Sequence, residues 1–418
     1  MSNQEKYDAK VKRIMDATAL KEPDTVPFNP ILQCYPFVHA GHTMADILYD
    51  VDAKIAEADL LKYVEEYDPD NVMGQDYVNI GQGPIFEKTH PKTIMWAGMP
   101  NGTIDKNSIH QYIEFPILLD DEIDMFMNDR VNWFLTRGIG RTQGIFEAFK
   151  VFDVRNMNPY TGTIFFSQIF SNPEMRKMIE TMWEVGDMMA ANGAAIARMN
   201  AAVEEAGYPC LMRGMAAVPF DTYSDFYRGT VAGLMDLYEN PDEVYAYCEE
   251  ELEKVLEMVR MQGQFLKGKL VFMALHKGMD GFMSEEHYVK YYWNHLQKII
   301  ECIIENDMVP YIYTEGAYTT RLKHLAEVPA GKVIYHFETV DLKKAKEILG
   351  DVACIAGGFN TPLLDRKTPA EIKEEVKRIL DIVAPGGGYI FETSCGIDYA
   401  LPENVEAMTE AVREYGKY

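Results

Sequence analysis

The sequence is poor in basic residues, in cysteine and in long apolar runs, and each shortage excludes a class of protein. Lys and Arg number 40 against 65 Asp and Glu, which gives a formal net charge of −25 at pH 7. Such an acidic surface repels nucleic-acid phosphates and anionic lipid, so we expect neither a nucleic-acid nor a membrane partner. The same field disfavours a substrate with many carboxylates, unless a basic pocket overrides it.

Cysteine and apolar residues are distributed as in a reduced, soluble protein. The six cysteines contain no C-x-x-C pair and are too few for a disulfide framework in 418 residues. No segment approaches the run of about 18 apolar residues that a membrane-spanning helix needs. The N-terminal MSNQEKYDAKVKRIMDA lacks the apolar core of a signal peptide. We therefore predict a cytoplasmic protein, and the composition is compatible with a homo-oligomer.

From about residue 209 onward, short β-rich runs alternate with amphipathic helices. The runs cover 209–217, 269–276, 309–315, 332–338, 351–357 and 388–395. Helix starts are marked by Asn172-Pro173, Asn240-Pro241 and Thr368-Pro369, each a capping residue followed by a proline at the first helical position. This alternation predicts parallel strands with helical crossovers.

Two α/β architectures fit that pattern, an open doubly wound sheet and an eight-stranded barrel. The open sheet would need a phosphate-binding turn, and neither G-x-G-x-x-G nor G-x-x-x-x-G-K-[ST] occurs. We therefore predict an α/β fold, a (β/α)8 TIM barrel with an N-terminal helical extension. Because no linker divides the chain, we expect one elaborated domain over residues 1–418.

The N-terminal half is less regular. We predict helices over 4–19 and 53–67 and an early strand over 71–78. The stretch 79–170 is rich in Gly, Asn, Pro and aromatic residues. We interpret it as barrel strands carrying a large insertion over the barrel mouth.

Polar residues at the ends of the predicted strands are the first candidates for a site, because barrel enzymes use that face. Side-chain alternation groups Tyr311, Tyr313 and Glu315; Ile334, His336 and Glu338; and Phe391, Thr393 and Cys395. If these faces point inward, Glu315, His336 and Cys395 converge. A carboxylate, an imidazole and a thiolate with one open position make a plausible catalytic Zn²⁺ site. Each also has a structural interpretation: a salt-bridged loop carboxylate, a satisfied core histidine and an inert cysteine.

Other polar and aromatic residues near the predicted mouth are candidates for contact with a substrate. Tyr313 joins the three metal-ligand candidates as a catalytic residue. The substrate-binding candidates are His39, His42, His276, Asp280, Tyr311 and Asn360. Neither a G-x-S-x-G nucleophile elbow nor an H-E-x-x-H helix occurs in the sequence.

Four segments, taken in order, resemble the uroporphyrinogen decarboxylase superfamily, which includes the cobamide-dependent methyltransferases. They read HKGMDGFMSEEHYVKYYWNHLQKIIE, VPYIYTEGAYTTRL, KVIYHFETVDLKKAKEILGDVACIAGGFN and YIFETSCGIDYALPENVEAM. The resemblance covers about residues 205–418 and implies a (β/α) barrel whose substrate enters at the C-terminal mouth.

The motifs that distinguish the branches of this superfamily are altered in this chain. The decarboxylases grip the carboxylates of their tetrapyrrole with an arginine-bearing loop of the form MRQAGRY, and residues 37–43 here read FVHAGHT, without either arginine. The methylcobalamin:coenzyme M branch holds zinc with an H-x-C pair and a later cysteine. The pair here reads Tyr313-Thr314-Glu315, whereas the later cysteine is kept as Cys395.

This pattern is most similar to that of the anaerobic O-demethylase-type methyltransferases. The resemblance implies a zinc-dependent enzyme that demethylates a small methoxylated, aromatic substrate and passes the methyl group to Co(I) of a corrinoid. The corrinoid would belong to a separate partner protein, because no D-x-H-x-x-G-type cobalamin motif occurs here. Two alternatives stay open: methyl transfer from a methylated corrinoid to a thiol, and a non-catalytic barrel that binds a corrinoid protein.

Overall fold

The computed structural model describes residues 1–152, 158 and 160–418. Its strands are β1 (Ile94–Met95), β2 (Gln111–Tyr112), β3 (Met212–Met215), β4 (Leu270–Leu275), β5 (Val309–Ala317), β6 (Ile334–Thr339), β7 (Cys354–Gly357) and β8 (Tyr389–Ile390). The α-helices are α1 (Asn3–Thr18), α2 (Tyr35–Ala40), α3 (Met44–Leu48), α4 (Lys54–Tyr67), α5 (Gly83–Thr89), α6 (Ile123–Asn128), α7 (Arg130–Trp133), α8 (Ile139–Thr142), α9 (Gly162–Ile169), α10 (Pro173–Glu205), α11 (Pro219–Tyr223), α12 (Thr230–Glu239), α13 (Pro241–Gln262), α14 (Glu285–His287), α15 (Asn294–Glu305), α16 (Leu322–Leu325), α17 (Leu342–Leu349), α18 (Leu363–Arg366), α19 (Pro369–Val383) and α20 (Pro402–Tyr415). Short 3-10 helices cover Gln75–Val78, Asp120–Glu122 and Gly144–Val151, and π-helical turns cover Phe134–Gly138, Ser224–Arg228 and Tyr288–Trp293.

Six parallel strands form the main sheet, in the order β3-β4-β5-β6-β7-β8. Each strand pairs with the next one along the chain, as helical crossovers of a single hand require. These six strands match the six β-rich runs of the sequence. The last is shorter than predicted: regular pairing stops at Ile390, although the run extends to residue 395.

Two extended segments, 26–32 and 70–73, close this sheet into an eight-membered barrel. Phe28 pairs in parallel with Phe391, just beyond β8. The Asp70 N–H donates to the Phe28 carbonyl, and the Val72 N–H donates to the Pro209 carbonyl ahead of β3. The predicted barrel is therefore confirmed. The early strand predicted over 71–78 is not formed as a regular strand: 70–73 is an extended segment outside the six-stranded sheet, and the chain turns at Gly74 into a 3-10 helix.

Side-chain alternation separates the interior of the barrel from the layer beneath the helices. Leu270, Tyr311, Ile334 and Ile390 pack in one apolar cluster inside the barrel. Their neighbours along the strands, such as Ile312, pack in the larger cluster between strands and helices. The inner cluster also contains Ile14 and Ala17 of α1, so this N-terminal helix covers the amino-terminal end of the barrel. The opposite end, where the strands terminate, is left for a site.

The stretch 79–170 differs from the prediction. In its described residues it supplies no member of the barrel, only the antiparallel pair β1–β2 and short helices; residues 153–157 and 159 lie outside the described part. Its segment 109–118 borders the mouth, because the Tyr112 hydroxyl donates to the Asp225 carbonyl at 2.5 Å and the Ile117 N–H donates to the Tyr227 carbonyl. The physical reason is compositional: Gly, Asn and Pro interrupt the apolar alternation that a buried strand requires.

No helix in the described part of the chain is long and apolar enough to span a membrane.

Candidate functional site

A cavity of about 460 Å³ opens at the carboxyl ends of the barrel strands. It lies between β3, β4, β5, the two closing segments and α10. Its walls are mainly apolar and aromatic, and they consist of Ile31, Gln33, Met73, Gly74, Tyr77, Ile196, Asn200, Met212, Arg213, Gly214, Met215, Phe272, Tyr313 and Glu315. A cavity of this size, with few polar groups, has the character of a small-molecule site.

Charge in the lining is limited to Arg213 and Glu315 among the residues that the structure describes. The Nη2 atom of Arg213 lies 3.3 Å from Oε1 of Glu204 of α10, so this arginine already has an ion-pair partner. Two amides, Gln33 and Asn200, supply neutral hydrogen-bonding groups to the wall. The lining therefore suits a ligand that is largely apolar and carries few charges.

Tyr313 lines this cavity and separates it from a buried polar group below. Its ring lies parallel to the imidazole of His336, with the ring centres 4.3 Å apart. Phe272 packs against the Tyr313 ring from β4, at 5.7 Å between ring centres. The sequence-predicted Tyr313 is thus placed at the cavity, and its phenol is held by stacking on His336 and by a tilted ring contact with Phe272.

His336 is fully buried beneath Tyr313, and both of its ring nitrogens have partners. Nδ1 lies 2.6 Å from Oε2 of Glu392, and Nε2 lies 3.1 Å from the carbonyl oxygen of Ser394. A carbonyl oxygen only accepts, so Nε2 carries a proton and has no lone pair to offer a metal. His336 is therefore a satisfied core histidine, the structural alternative that the sequence left open.

Glu392 is the centre of a buried polar group below the cavity, which it forms with Tyr311, His336 and Asn29. Sequence reasoning missed this residue. Its carboxylate accepts hydrogen bonds from Tyr311 at 2.6 Å and from Asn29, in addition to His336. Burial, followed by the Glu392 charge, raises the pKa of Tyr311 well above its usual value, so this phenol stays a donor. The signal was a single carboxylate in the apolar run YIFET, because a charged residue there needs internal partners.

The face that the sequence grouped as Phe391, Thr393 and Cys395 has the opposite orientation to the one we expected. Ile390 packs inside the barrel and Phe391 packs outside, so Glu392, rather than Phe391 and Thr393, follows the inward face. Beyond Ile390 the chain leaves regular strand geometry. The Thr361 hydroxyl bonds both the N–H and the carbonyl of Cys395, and burial raises the pKa of the Cys395 thiol. Cys395 is thereby held in a loop turn.

Glu315, His336 and Cys395 consequently do not form the metal site that the sequence suggested. Within the described residues, no group of three or more His, Cys, Asp and Glu side chains is placed to hold a metal ion. His336 is occupied at both nitrogens, and Glu315 extends into the cavity above Tyr313. The donor set does not fit Zn²⁺ in this geometry.

Glu315 instead faces His276, which follows the end of β4. The Nε2 atom of His276 lies 3.6 Å from Oε1 of Glu315, and its Nδ1 atom bonds the carboxylate of Asp225. Burial lowers the pKa of His276, but the hydrogen bond with Asp225 and the nearby carboxylates of Glu315 and Asp221 outweigh it and raise that pKa to about 11. The imidazole is therefore a cation at neutral pH. Asp225 was not among the sequence candidates, because it lies on an irregular turn after α11.

The remaining candidates lie away from the cavity wall. His39 bonds Glu66 at 3.1 Å and His42 bonds Asp59 at 2.7 Å, so both face helix α4. Asp280 accepts hydrogen bonds from the backbone and hydroxyl of Thr320 and fixes a loop. Tyr311 is buried in the polar group below the cavity, and Asn360 is exposed beyond β7. None of these five residues lines the cavity, so the structure does not bring them together as substrate-binding residues.

Comparison with known proteins adds a family and a fold. The profile of the uroporphyrinogen decarboxylase (URO-D) family matches residues 166–415. Curated uroporphyrinogen decarboxylases from Pseudomonas syringae pv. tomato and Actinobacillus succinogenes are 28% and 26% identical to the chain over 183 and 186 residues. These alignments cover 43% of the chain and 50% or 51% of the relatives, so the chain spans about half the length of the curated relatives it matches.

Among solved structures, a methyltransferase from Methanosarcina mazei has the same fold over nearly the whole chain. The TM-score is 0.59 and the sequence identity 15%, and the superposition covers 97% of this chain and 98% of the other. This likeness supports the barrel architecture described above.

Proposed function

The chain belongs to the uroporphyrinogen decarboxylase family, and we propose that within this family it is a methyltransferase. Its substrate is a small methoxylated aromatic compound, from which it removes the methyl group. The methyl acceptor is the reduced corrinoid of a separate partner protein. The observation that carries this proposal is the cavity at the strand ends, whose walls are apolar and aromatic and whose one cation among the described lining residues, Arg213, is paired with Glu204 of α10.

The charge of the lining favours a methyl ether over a tetrapyrrole. Uroporphyrinogen carries eight carboxylates, and a site for it needs several unpaired cations to offset their desolvation. Here Arg213 is engaged by Glu204, and Glu315 adds a negative charge to the same wall. A neutral aromatic ring, in contrast, is well matched to Phe272, Tyr313 and the neighbouring methionines.

The residues of this chain would perform three tasks. Tyr313 and Phe272 hold the ring, Gln33 and Asn200 orient polar substituents, and the wall around them excludes water. The acceptor attacks the methyl carbon from the open mouth, the carbon–oxygen bond breaks, and its electron pair stays on the oxygen. That oxygen then needs a proton or a positive group beside it. Glu315 lines the cavity and lies beside the imidazole of His276, so it can carry a proton to that oxygen.

The zinc expected from the resemblance takes no part in this scheme, because the donor set does not fit it. Glu315 is assigned to the substrate side, and His336 and Cys395 to the framework around it. The corrinoid is carried by the partner protein and is a co-substrate of the reaction. Transfer in the reverse direction, from a methylated corrinoid to a thiol, would use the same open mouth and is distinguished by its product.

The test is a screen of purified protein against anisole, methoxyphenols and methoxybenzoates, with the reduced corrinoid protein as acceptor and, in parallel, chemically reduced cobalamin in large excess. We expect the corresponding phenol to appear by chromatography only when protein, substrate and acceptor are all present. Formation of a methyl thioether from methylcobalamin and a thiol, without any demethylation, would refute the proposed direction. Demethylation of none of these compounds would refute the substrate class.

A pair of phenylalanine variants ties the activity to the cavity. Phe272→Ala removes an aromatic wall, so we expect a rise in KM of about tenfold or more, from the loss of about 1.5 kcal/mol of contact. Phe265→Ala is the matched control, since Phe265 is 83% exposed and lies outside the cavity lining. Equal kinetic constants for the two variants would place the substrate elsewhere.

A further inference from the structure

A row of ionised side chains leads from the interior of the mouth to the cavity wall. It begins at Asp225, passes through His276 and ends at Glu315, which lines the cavity. These residues come from the turn after α11, the end of β4 and the end of β5. Their alignment depends on three separate chain segments and cannot result from a local sequence motif.

The inner end of this row is fixed by a fully buried framework. Asp221 accepts hydrogen bonds from the backbone N–H groups of His276 and Lys277 at 3.1 and 2.9 Å, and from the Tyr292 hydroxyl at 2.5 Å. Lys277 places its Nζ atom 2.6 Å from Asp225. Asp225 is thus kept ionised by one cation while it bonds another. The backbone that carries His276 is held by a carboxylate that has no contact with the cavity.

The outer end of the row is open. Both ring nitrogens of His276 face carboxylates, so both carry protons and the ring is an imidazolium. The bond to Asp225 is short, whereas the 3.6 Å between Nε2 and Glu315 is longer than a normal hydrogen bond. The Nε2–H donor is therefore directed at Glu315 without being fully engaged by it. Side-chain exposures of 29% for His276 and 43% for Glu315 give water access to this end.

We propose that Asp225 and His276 form a proton relay that serves Glu315 in the methyl transfer described above. This inference rests on the proposed function. Glu315 is the catalytic residue, because it lines the cavity, and His276 and Asp225 are positioning residues that act through it. The relay supplies the positive charge and the proton that the leaving oxygen requires, which is the task that the resemblance had assigned to a metal.

The step balances as follows. The acceptor, a reduced corrinoid of the partner protein, contributes the electron pair that forms the bond to the methyl carbon. The carbon–oxygen bond breaks, and its pair remains on the phenolate oxygen. A proton passes from His276 Nε2 to the ionised Glu315 carboxylate and from Glu315 on to that oxygen, and a proton from bulk solvent then restores the imidazolium, so that one proton in total reaches the phenolate. Asp225 stays ionised throughout and offsets the charge of the ring.

The test compares two ethers that differ in their need for a proton. Demethylation of anisole releases the basic phenolate as leaving group. Demethylation of 4-nitroanisole releases a stable nitrophenolate, which needs little protonation. We expect His276→Gln and Asp225→Asn to lower kcat on anisole by about a hundredfold, within the range of general-acid contributions. On 4-nitroanisole the loss should be less than about threefold. KM for both ethers should change little, since neither residue lines the cavity.

Several outcomes would overturn this assignment. Equal losses on the two ethers would mean that His276 merely supports the structure, and unchanged rates in both variants would remove it from the reaction. His324→Gln is the control: that histidine is also paired with two carboxylates, Glu285 and Glu327, but neither of these carboxylates lines the cavity, so its replacement should leave both rates intact. If His276→Gln does not fold, Asp225→Asn alone decides. A wild-type enzyme inactive on every methoxylated compound would instead refute the methyl-transfer proposal.

Discussion

At the scale of single residues, the buried carboxylate of Glu392 determines the chemistry below the cavity. It has no exposed surface, and three donors, Tyr311, His336 and Asn29, converge on it. A buried charge with this many hydrogen bonds is tolerated, whereas the same charge with a partner removed is costly. Because His336 stacks under Tyr313, the arrangement also sets the height of the cavity floor.

Replacing Glu392 with Gln should therefore be strongly destabilising. The amide cannot accept from three donors, and its own NH2 group would face them, so we expect the free energy of unfolding to fall by about 3 kcal/mol. Chemical denaturation followed by circular dichroism measures the change. Glu374→Gln, on the exposed surface of α19, should stay within about 0.5 kcal/mol of the wild type. A similar value for Glu392→Gln would mean that the carboxylate is not the centre of the network.

At the scale of elements, helix α19, which precedes β8, shows how local sequence positions the segment below the cavity. Thr368 and Glu371 form a complete capping box at the start of α19, with Pro369 at the first position. The buried stripe Ile372, Val376 and Ile379 then seats this helix on the barrel. Its position fixes the start of the segment that carries Glu392 and Cys395.

Loss of this cap should be visible as a stability change with no effect at the cavity. Thr368→Ala removes the side-chain acceptor for the Glu371 N–H, so we expect about 1 kcal/mol of destabilisation. The midpoint of thermal unfolding reports it. Thr103→Ala, at an exposed loop position, provides the comparison and should change little. An unchanged midpoint in Thr368→Ala would show that tertiary packing alone holds this helix.

At the scale of the whole molecule, charge limits the substrates and partners that the barrel can accept. The chain carries a net charge of −25, and the described lining of the mouth has one arginine, already paired with Glu204. Any ligand with many carboxylates must cross this field and then find too few cations inside. A protein partner must offer a complementary basic patch or dock through apolar contacts.

Uroporphyrinogen should accordingly not be decarboxylated by this protein. The prediction rests on the absence of arginine in the 37–43 segment and on the single paired arginine of the described cavity wall. Anaerobic incubation with uroporphyrinogen, followed by chromatography of the oxidised porphyrins, is the measurement. The uroporphyrinogen decarboxylase of Pseudomonas syringae pv. tomato, assayed in parallel, is the positive control for turnover under these conditions. Appearance of coproporphyrin from this protein would contradict the proposed substrate class.

Docking of the corrinoid protein, under the proposed function, should depend on salt more strongly than binding of the small substrate. Charge steering between this acidic protein and a basic patch on its partner is screened over about 10 Å at 0.1 M salt. We expect the apparent affinity for the corrinoid protein to fall as salt rises, while KM for the methyl ether stays constant. We also expect free reduced cobalamin to react much more slowly than the cognate protein. If neither the apparent affinity for the corrinoid protein nor KM for the methyl ether changes with salt, docking is apolar. If free cobalamin reacts as fast as the corrinoid protein, no docking is required.

The sequence by itself determined the elements and their order. Alternating β-rich runs and capped helices predicted the six consecutive parallel strands, and Asn172-Pro173 marked the start of α10, because periodicity and capping are local properties. Side-chain alternation also correctly placed Tyr313, Glu315 and His336 on inward faces. These interpretations need only the few residues around each position.

Tertiary structure decided which of those residues act together. Ile390 packs inside the barrel and Phe391 outside, so Glu392 faces inward; which face is inward was decided when the segment after β8 paired with the 26–32 segment, between positions more than 350 residues apart. For the same reason His336 bonds Glu392 and Ser394 rather than a metal, and Asp225 reaches His276 across 51 positions. Local patterns carry no information about such pairings, since they depend on how distant segments close the barrel. The site is therefore set by long-range geometry, whereas the barrel that carries it is already present in the sequence.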